Sequence, residues 1–307
     1  MPINTLEYAG IFQTVLDEQM IAEATSGWME DNASQVRYTG GNEIKVPKIS
    51  TNGLGDYDRD EGFTQGSVSL QYQTLVMTQD RGRTFQLDAM DIDETNFVAS
   101  ATNVMAQFQR TQVIPEVDAY RYSKIFALAQ AAGKINGTAY TPSESDILKK
   151  LKADIAAIQD IVGEAYELVI TMSVPCANIL EQADKVQKTL NVADFTKGNI
   201  ATKVLSVDGI PIIKVRSTLM KSAYVFNDGK TTGQTVGGIV PATGAKQINW
   251  LITARKAPIA VSKTDTMRIF DPMTNQKANA WKLDYRKYHE LWVLDNAKDG
   301  IIVNVGA

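Results

Sequence analysis

The sequence is short of the residues most chemistry needs: one cysteine and one histidine in 307 residues. A lone Cys176 forms no intramolecular disulfide and cannot build a cysteine-ligated zinc site, and this fits synthesis in a reducing cytoplasm. A lone His289 excludes multi-histidine metal centres. Long apolar runs are also missing. Leu168 to Met172 and Ile210 to Ile213 are typical, far below the ~20 residues of a membrane span. The start, Met1-Pro2-Ile3-Asn4-Thr5-Leu6-Glu7, has neither the basic start nor the apolar stretch of a secretory signal. Positive charge is not in excess either: 31 Lys and Arg face 35 Asp and Glu, for a net charge of -4. A protein that grips nucleic acid by releasing counterions shows a basic excess or stripe, so any DNA near this one is met loosely. With 44% hydrophobic and 21% charged residues, the composition is that of an ordered globular chain, long enough for two domains.

The usual signatures of catalysis fail one by one. His289 sits within Tyr288-His289-Glu290-Leu291-Trp292, an aromatic strand, and reads as a hydrogen-bonded structural histidine rather than a general base. No Gly-x-Ser-x-Gly elbow supplies a serine nucleophile. Cys176 follows Pro175 at a helix start, where the dipole could lower its pKa, but a buried thiol is the favoured reading. Gly238 to Lys246 imitates a phosphate loop with one residue too many, and Gly53-Leu54-Gly55 lacks the third glycine of a dinucleotide fingerprint. Asp56-Tyr57-Asp58-Arg59-Asp60 opens like a calcium loop, yet Glu61 stands where glycine belongs and Ser67 where the bidentate Glu belongs. A solvated acidic turn is the better reading. Asp88, Asp91, Asp93 and Glu94 read as helix capping. No catalytic residue, cofactor or metal is expected.

What is present is a series of short, well-patterned segments. Tyr8, Ile11, Phe12, Val15 and Leu16 share one helical stripe, continued by Ile21, Ala24 and Trp28 until Asp31-Asn32-Ala33-Ser34 breaks it. This helix either docks on its own domain or serves as an arm for a neighbour. Residues 36–87 predict a long two-stranded ribbon. Glu43 to Ser50 is one run, with Pro47 arguing for an edge position. Ser67 to Gln79 is the other, with Val68, Leu70, Tyr72, Thr74 and Val76 on one face and Ser67, Ser69, Gln71 and Gln73 on the opposite one. At ~3.3 Å per residue the second run reaches roughly 40 Å. The residues between them, Thr51 to Phe63, are glycine-rich and acidic. A ribbon of this kind cannot bury itself alone, so it requires another surface.

Phe97, Ala101, Val104, Met105 and Phe108 predict a helix. Pro115 either kinks it or opens a second one carrying Val117, Tyr120, Ile125 and Leu128, until Ala131-Ala132-Gly133 ends it. Ser143, with Asp146 three residues on, is a plausible cap for the amphipathic helix Ile147, Leu151, Ile155, Ile158, Val162. Glu167 to Met172 reads as a buried strand, followed by a helix after Pro175 that buries Ile179, Leu180, Ala183 and Val186. Ala201 to Val207 and Ile210 to Val215 form a hairpin at Asp208-Gly209. Residues 227–247 read as a long loop, and Trp250 to Thr253, Ile259 to Val261, Tyr285 to Leu294 and Gly300 to Val305 as closing strands.

From Gln79 onward the order of motifs resembles a known family. Gln79-Asp80-Arg81-Gly82-Arg83-Thr84-Phe85-Gln86-Leu87-Asp88-Ala89-Met90-Asp91-Ile92-Asp93-Glu94-Thr95 is similar to the stretch joining the extended loop to the spine helix in Gram-positive phage capsid proteins. Arg110 to Arg121, Val207 to Ile213, Ile269-Phe270-Asp271-Pro272, Ala280 to Glu290 and Val293-Leu294-Asp295-Asn296 resemble the same family. The similarity runs from about residue 36 to the end. It implies an α+β, HK97-like capsid fold: an N-terminal arm over 1–35, an extended β-hairpin loop over 36–87, a peripheral domain with a long spine helix over 88–139, an inserted axial domain over 140–268, and closing peripheral strands over 269–307. It also implies a major capsid protein that self-assembles as hexamers and pentamers into an icosahedral head. That places it in the virion, and in the host cytoplasm during assembly. The implied partners are further copies of itself, a portal, and packaged double-stranded DNA by non-specific proximity. Because the arm helix begins almost at Met1, a separate scaffolding protein is expected. Some members join subunits by a lysine–asparagine isopeptide bond; Lys45 and Lys48 lie on the ribbon but match no cross-linking position. The expected subunit contacts are Arg81 and Arg83 at the ribbon base and Asp56, Asp58 and Asp60 at its tip. An encapsulin-like compartment shares the implied fold and would hold protein cargo. A soluble metal-free enzyme, the alternative of another class, would form a small oligomer with a concave pocket.

Overall fold

The computed structural model describes residues 24–35, 42–60, 62–88, 105–136, 140–183, 191–197 and 200–306. The expected helix through Tyr8 and Leu16 lies outside them, as do Asp91, Asp93, Glu94, Phe97, Ala101, Val104 and Val186. Gly27–Gln35 form a 3-10 helix. Next, β1 (Glu43–Thr51) and β2 (Val68–Val76) pair antiparallel, from Glu43 opposite Val76 to Thr51 opposite Val68. Nine residues in each strand give a ribbon about 30 Å long. The second strand is therefore shorter than the run Ser67 to Gln79 suggested. It stops at Val76 because Met77 turns into the core and Thr78 is held by the buried Glu290. β3 (Gln79–Asp88) then starts afresh in a different sheet.

Residues 105–108 are helical and pass through a π-turn, Gln109–Val113, into α1 (Ile114–Ala131). Pro115 occupies the first turn of α1, and because the helix continues upstream its missing N–H leaves one carbonyl of the preceding turn without a helical donor. The wide turn before it, closed by Ile114 N–H donating to the Gln109 carbonyl, absorbs the clash a proline ring makes with the preceding turn. The two halves of the expected helical region thus join without a break across residues 105–131. β4 (Ile135–Asn136), α2 (Ile147–Val162), β5 (Leu168–Ser173) and α3 (Val174–Gln182) follow. Ser143 stands three residues ahead of the actual cap, Asp146, and its hydroxyl donates to the Asp146 carboxylate at 2.5 Å. β6 (Asn191–Lys197), β7 (Ile200–Val207) and β8 (Ile210–Val215) form a meander. Asp208 and Gly209 turn the second hairpin with φ of 53° and 79°, both left-handed, as a two-residue turn of this hand demands.

The remaining strands are β9 (Tyr224–Phe226), β10 (Ile239–Pro241), β11 (Ile248–Ala254), β12 (Pro258–Phe270), β13 (Ala280–Val293) and β14 (Ile301–Val305). β10 interrupts the expected 227–247 loop by pairing with β9. β12 and β13 run well beyond the short strands expected, because they pair with each other along almost their whole length while β3 lines the other side of β13. The result is an antiparallel sheet ordered β12-β13-β3, beside a mixed seven-stranded sheet ordered β4-β14-β11-β5-β8-β7-β6.

α1 is buried almost all round and serves as the spine between two cores. Ala119, Tyr122, Ile125 and Phe126 pack into the large core around Trp250, Leu251 and Ile252, whereas Val113, Ile114 and Val117 pack with Met267, Leu283 and Tyr285. Among the described residues, no helix is long and apolar enough to cross a membrane.

Candidate assembly interface

Residues opposite one another in the ribbon share a face, and faces alternate along each strand. By the observed register, Ile44, Val46, Lys48, Gln71, Gln73 and Leu75 lie on one face. Pro47, Ile49, Val68, Leu70, Tyr72 and Val76 lie on the other. The first face turns onto the subunit. Ile44, Leu75 and Met77 form a small core with Ile259, Val261, Tyr288 and Trp292. Polar pins reinforce it: Tyr288 OH donates to the Met77 carbonyl at 3.1 Å, Trp292 Nε1 to the Val76 carbonyl at 3.2 Å, and Asp295 N–H to Gln73 Oε1 at 3.1 Å. The second face, although the more apolar of the two, points away. Leu70 is 54% exposed, Tyr72 61%, Ile49 62% and Val68 73%. A contiguous apolar surface left open on a protruding element marks an interaction site.

The base is clamped from below. Glu290 is fully buried and accepts from Thr78 N–H at 2.9 Å, Thr78 Oγ1 at 2.6 Å and Tyr120 OH, with Lys124 Nζ at 3.4 Å. One carboxylate thereby ties the ribbon's exit to α1 and β13. Burial and the adjacent Glu290 carboxylate push the Tyr120 hydroxyl well above its ordinary pKa, so it remains a donor. A second clamp was not anticipated from the sequence. Asp118 accepts Thr25 N–H at 3.0 Å, Thr25 Oγ1 at 2.6 Å, Ser26 N–H at 3.2 Å and Ser26 Oγ at 2.5 Å, while the buried Arg121 pairs with Glu30. Residues 24–35 therefore dock on their own subunit, with Trp28 and Met29 in the large core.

The expected contact residues separate into different environments. Asp56, Asp58 and Asp60 are exposed at the far end of the ribbon. There Asp58 and Gly62 exchange backbone hydrogen bonds of 3.2 and 2.9 Å, and the Tyr57 and Phe63 rings meet at 4.9 Å. Among the described residues, no three acidic, His or Cys side chains group for a metal ion. Arg81 is engaged inside the subunit: it pairs with Glu116, donates to the Asn227 carbonyl at 3.0 Å, and lies over the Phe226 ring at 5.7 Å. Arg83 lines the same cleft as Arg81 but is exposed at its edge. Its guanidinium lies over a glycine-rich loop where a β-carbon at Gly229 or Gly237 would stand 3.1 or 3.2 Å away, and both glycines have φ of 74°. That loop is braced by Asp228, whose carboxyl the Thr231 hydroxyl and the Lys230 and Thr231 N–H groups hold down at about 2.

Arg81→Glu should accordingly destabilise the folded subunit, because it sets a carboxylate against Glu116 and strips the Asn227 carbonyl of its donor. A loss of about 2 kcal/mol in urea denaturation is expected. Arg83→Glu should stay within about 0.5 kcal/mol.

His289 and Arg81 both line a cleft of about 590 Å³ between β3, α1 and the 227–238 loop. His289, expected to be a hydrogen-bonded structural residue, is buried. Its Nδ1 meets no protein partner among the described residues, and its ring stands edge-on to Tyr120 at 5.4 Å. Burial, with Arg121, Lys287 and Arg81 nearby, drives its pKa well below the ordinary 6.5. The unfolded chain therefore takes up a proton below pH 6.5 that the folded chain refuses, and stability falls as pH drops from there towards the folded pKa. The slope from this group is about 1.4 kcal/mol per pH unit. As the chain's only histidine, it should carry this part of the pH profile, and His289→Phe should flatten it in denaturant midpoints taken across that range. Cys176 is a buried free thiol, and burial raises its pKa despite its place in the first turn of α3.

A protruding ribbon, a long buried helix and two unlike sheets define an α+β architecture, and solved structures share it. No family model matches the sequence, and no curated protein sequence matches it. The capsid structure of Cyanophage P-SCSP1u aligns with 89% of this chain and 85% of its own at a TM-score of 0.61 and 14% identity. The mature capsid of bacteriophage PhiM1 aligns with 87% and 82% at 0.59 and 13% identity, and a structure from Gordonia phage Cozz with 87% and 81% at 0.56 and 17% identity. The fold of this chain is the HK97-like capsid fold.

Proposed function

We propose that this protein is a phage major capsid protein, a structural subunit and not an enzyme, which assembles with copies of itself into an icosahedral head. The observation that carries this reading is the bare apolar face of the ribbon: Ile49, Val68, Leu70 and Tyr72 project from a subunit that already has a complete core of its own. In the proposed assembly a neighbouring copy receives this face. The isolated subunit is then stable while the apolar surface still drives association. Contacts of this heterologous kind close into rings when the rotation permits, here hexamers and pentamers. Asp56, Asp58 and Asp60 at the tip and Arg83 near the base are the polar contacts of that docking; Arg81 supports it indirectly by fixing the loop beneath Arg83.

In this reading residues 36–87 are the extended loop, 88–139 and 269–307 the peripheral domain, and 140–268 the inserted axial domain. The joining of β5, β6, β7, β8 and β11 in one sheet supports an inserted domain within 140–268, but β4 and β14 enter that sheet from outside this range and β12 leaves it to pair with β13. A portal, a separate scaffolding protein and packaged double-stranded DNA complete the partners. The net charge of -4 suits a wall along which DNA must slide without sticking. Electron microscopy of the purified protein tests the proposal: closed shells or capsomer rings are expected, whereas a small discrete oligomer at all concentrations would refute it.

A further inference from the structure

Asn52 and Asn136 are the two asparagines in this chain that precede a glycine. A glycine after asparagine leaves the main-chain nitrogen unshielded and the backbone free to turn, so the nitrogen can reach the side-chain amide carbon. The two sites differ in how far the fold allows this. Asn52 follows the end of β1, and both it and Gly53 are exposed. The Asn52 N–H donates to the Ser67 carbonyl at 3.3 Å, which holds it to the ribbon, whereas Gly53 N–H donates to no acceptor among the described residues. The space around Gly53 is open. The Ser67 hydroxyl donates to Asn52 Oδ1 at 2.9 Å, drawing electron density from the amide carbon and leaving Nδ2 unheld. Asn136 is the reverse case: it is paired in a sheet with Asn304, and its Nδ2 donates to the Asp154 carboxylate.

We propose that Asn52 is a site of spontaneous deamidation that changes the charge of the ribbon tip as the protein ages. Gly53 N gives its proton to solvent base and attacks Asn52 Cγ. The new C–N bond closes a five-membered succinimide, the Cγ–Nδ2 bond breaks, and Nδ2 takes up a proton from water and leaves as ammonia. Water then adds to either imide carbonyl and reopens the ring as aspartate or isoaspartate. Only water is consumed and no electrons are transferred. Each event adds one negative charge to the segment that carries Asp56, Asp58 and Asp60, and the isoaspartate product lengthens the main chain by one carbon. The inference rests on the local geometry of the ribbon and is independent of the shell reading.

The test is peptide mass mapping of the full-length folded protein held in mildly alkaline buffer, with the urea-unfolded chain as reference. The peptide holding Asn52 is expected to convert progressively to acid and isoacid forms while the peptide holding Asn136 stays amide. Gly53→Val, which shields the nitrogen, should lose the conversion over the same period. The proposal is overturned if Asn52 stays amide in the folded protein while the unfolded chain converts, if Asn136 converts as fast, or if Gly53→Val converts unchanged.

Discussion

Replacing Leu70 and Tyr72 together by aspartate should give a folded subunit that forms no shells. Both side chains lie on the outward face of β2 and are more than half exposed, at 54% and 61%. Their loss should leave subunit stability within about 0.5 kcal/mol for each change. In the docked ribbon each contributes about 2 kcal/mol of apolar burial. An aspartate in its place loses that and adds several kcal/mol for drawing a carboxylate out of water. Summed over two positions the penalty exceeds the roughly 4 to 8 kcal/mol of a millimolar to micromolar contact. Size-exclusion chromatography and electron microscopy read the assembly, and a thermal melt monitors the fold. Normal particles from the double variant would mean that this face touches nothing.

Glu290→Ala should have the largest effect on the subunit itself. The carboxylate is the common acceptor for Thr78 N–H, Thr78 Oγ1 and Tyr120 OH, and it faces Lys124. Truncation leaves the buried Tyr120 hydroxyl without its acceptor and frees the more exposed Thr78, and an unmet buried donor costs about 1 to 3 kcal/mol. A loss of about 3 kcal/mol or more in denaturant unfolding is expected. Backbone hydrogen exchange should rise at residues 77–79, where the ribbon leaves the body. Lys124→Met, which removes only the partly exposed partner, should cost about 1 kcal/mol or less. Equal losses from the two variants would show that Glu290 acts through its ion pair and not as the clamp of the ribbon.

The ribbon was legible in the sequence because alternation over nine residues has one physical meaning, a strand with two unlike faces. The alternation also gave the membership of each face: Val68, Leu70, Tyr72 and Val76 do share one side. What it could not give was which side meets the subunit. Ile44, Leu75 and Met77 decide that by fitting between Tyr288 and Trp292, more than two hundred residues away. β3 was missed as a strand for a similar reason. Gln79, Asp80, Arg81, Gly82 and Arg83 look like a polar connector, yet the strand is the edge of its sheet and pairs its charges across it, as Asp80 does with Arg286. Arg81 reads as a surface charge until Glu116 and the carbonyls of Asn227 and Gly238 come into reach through the fold. The clamp at Asp118 left a trace that was not used. Asp118 and Arg121 sit within the apolar stripe of a helix where solvated charges have no place, and charges on a buried face must find partners. That signal points to the Thr25-Ser26 segment only in outline, because helix periodicity says nothing about what covers the helix.

The claim on which the functional reading stands is that the outward face of β2 is covered when subunits associate. Thiol labelling of a Leu70→Cys variant measures this directly, because the single native thiol, Cys176, is only 4% exposed and stays silent. The dissociated subunit should react with maleimide at the rate of an open cysteine, and the assembled particle should be protected. Equal labelling of particle and free subunit would contradict the account.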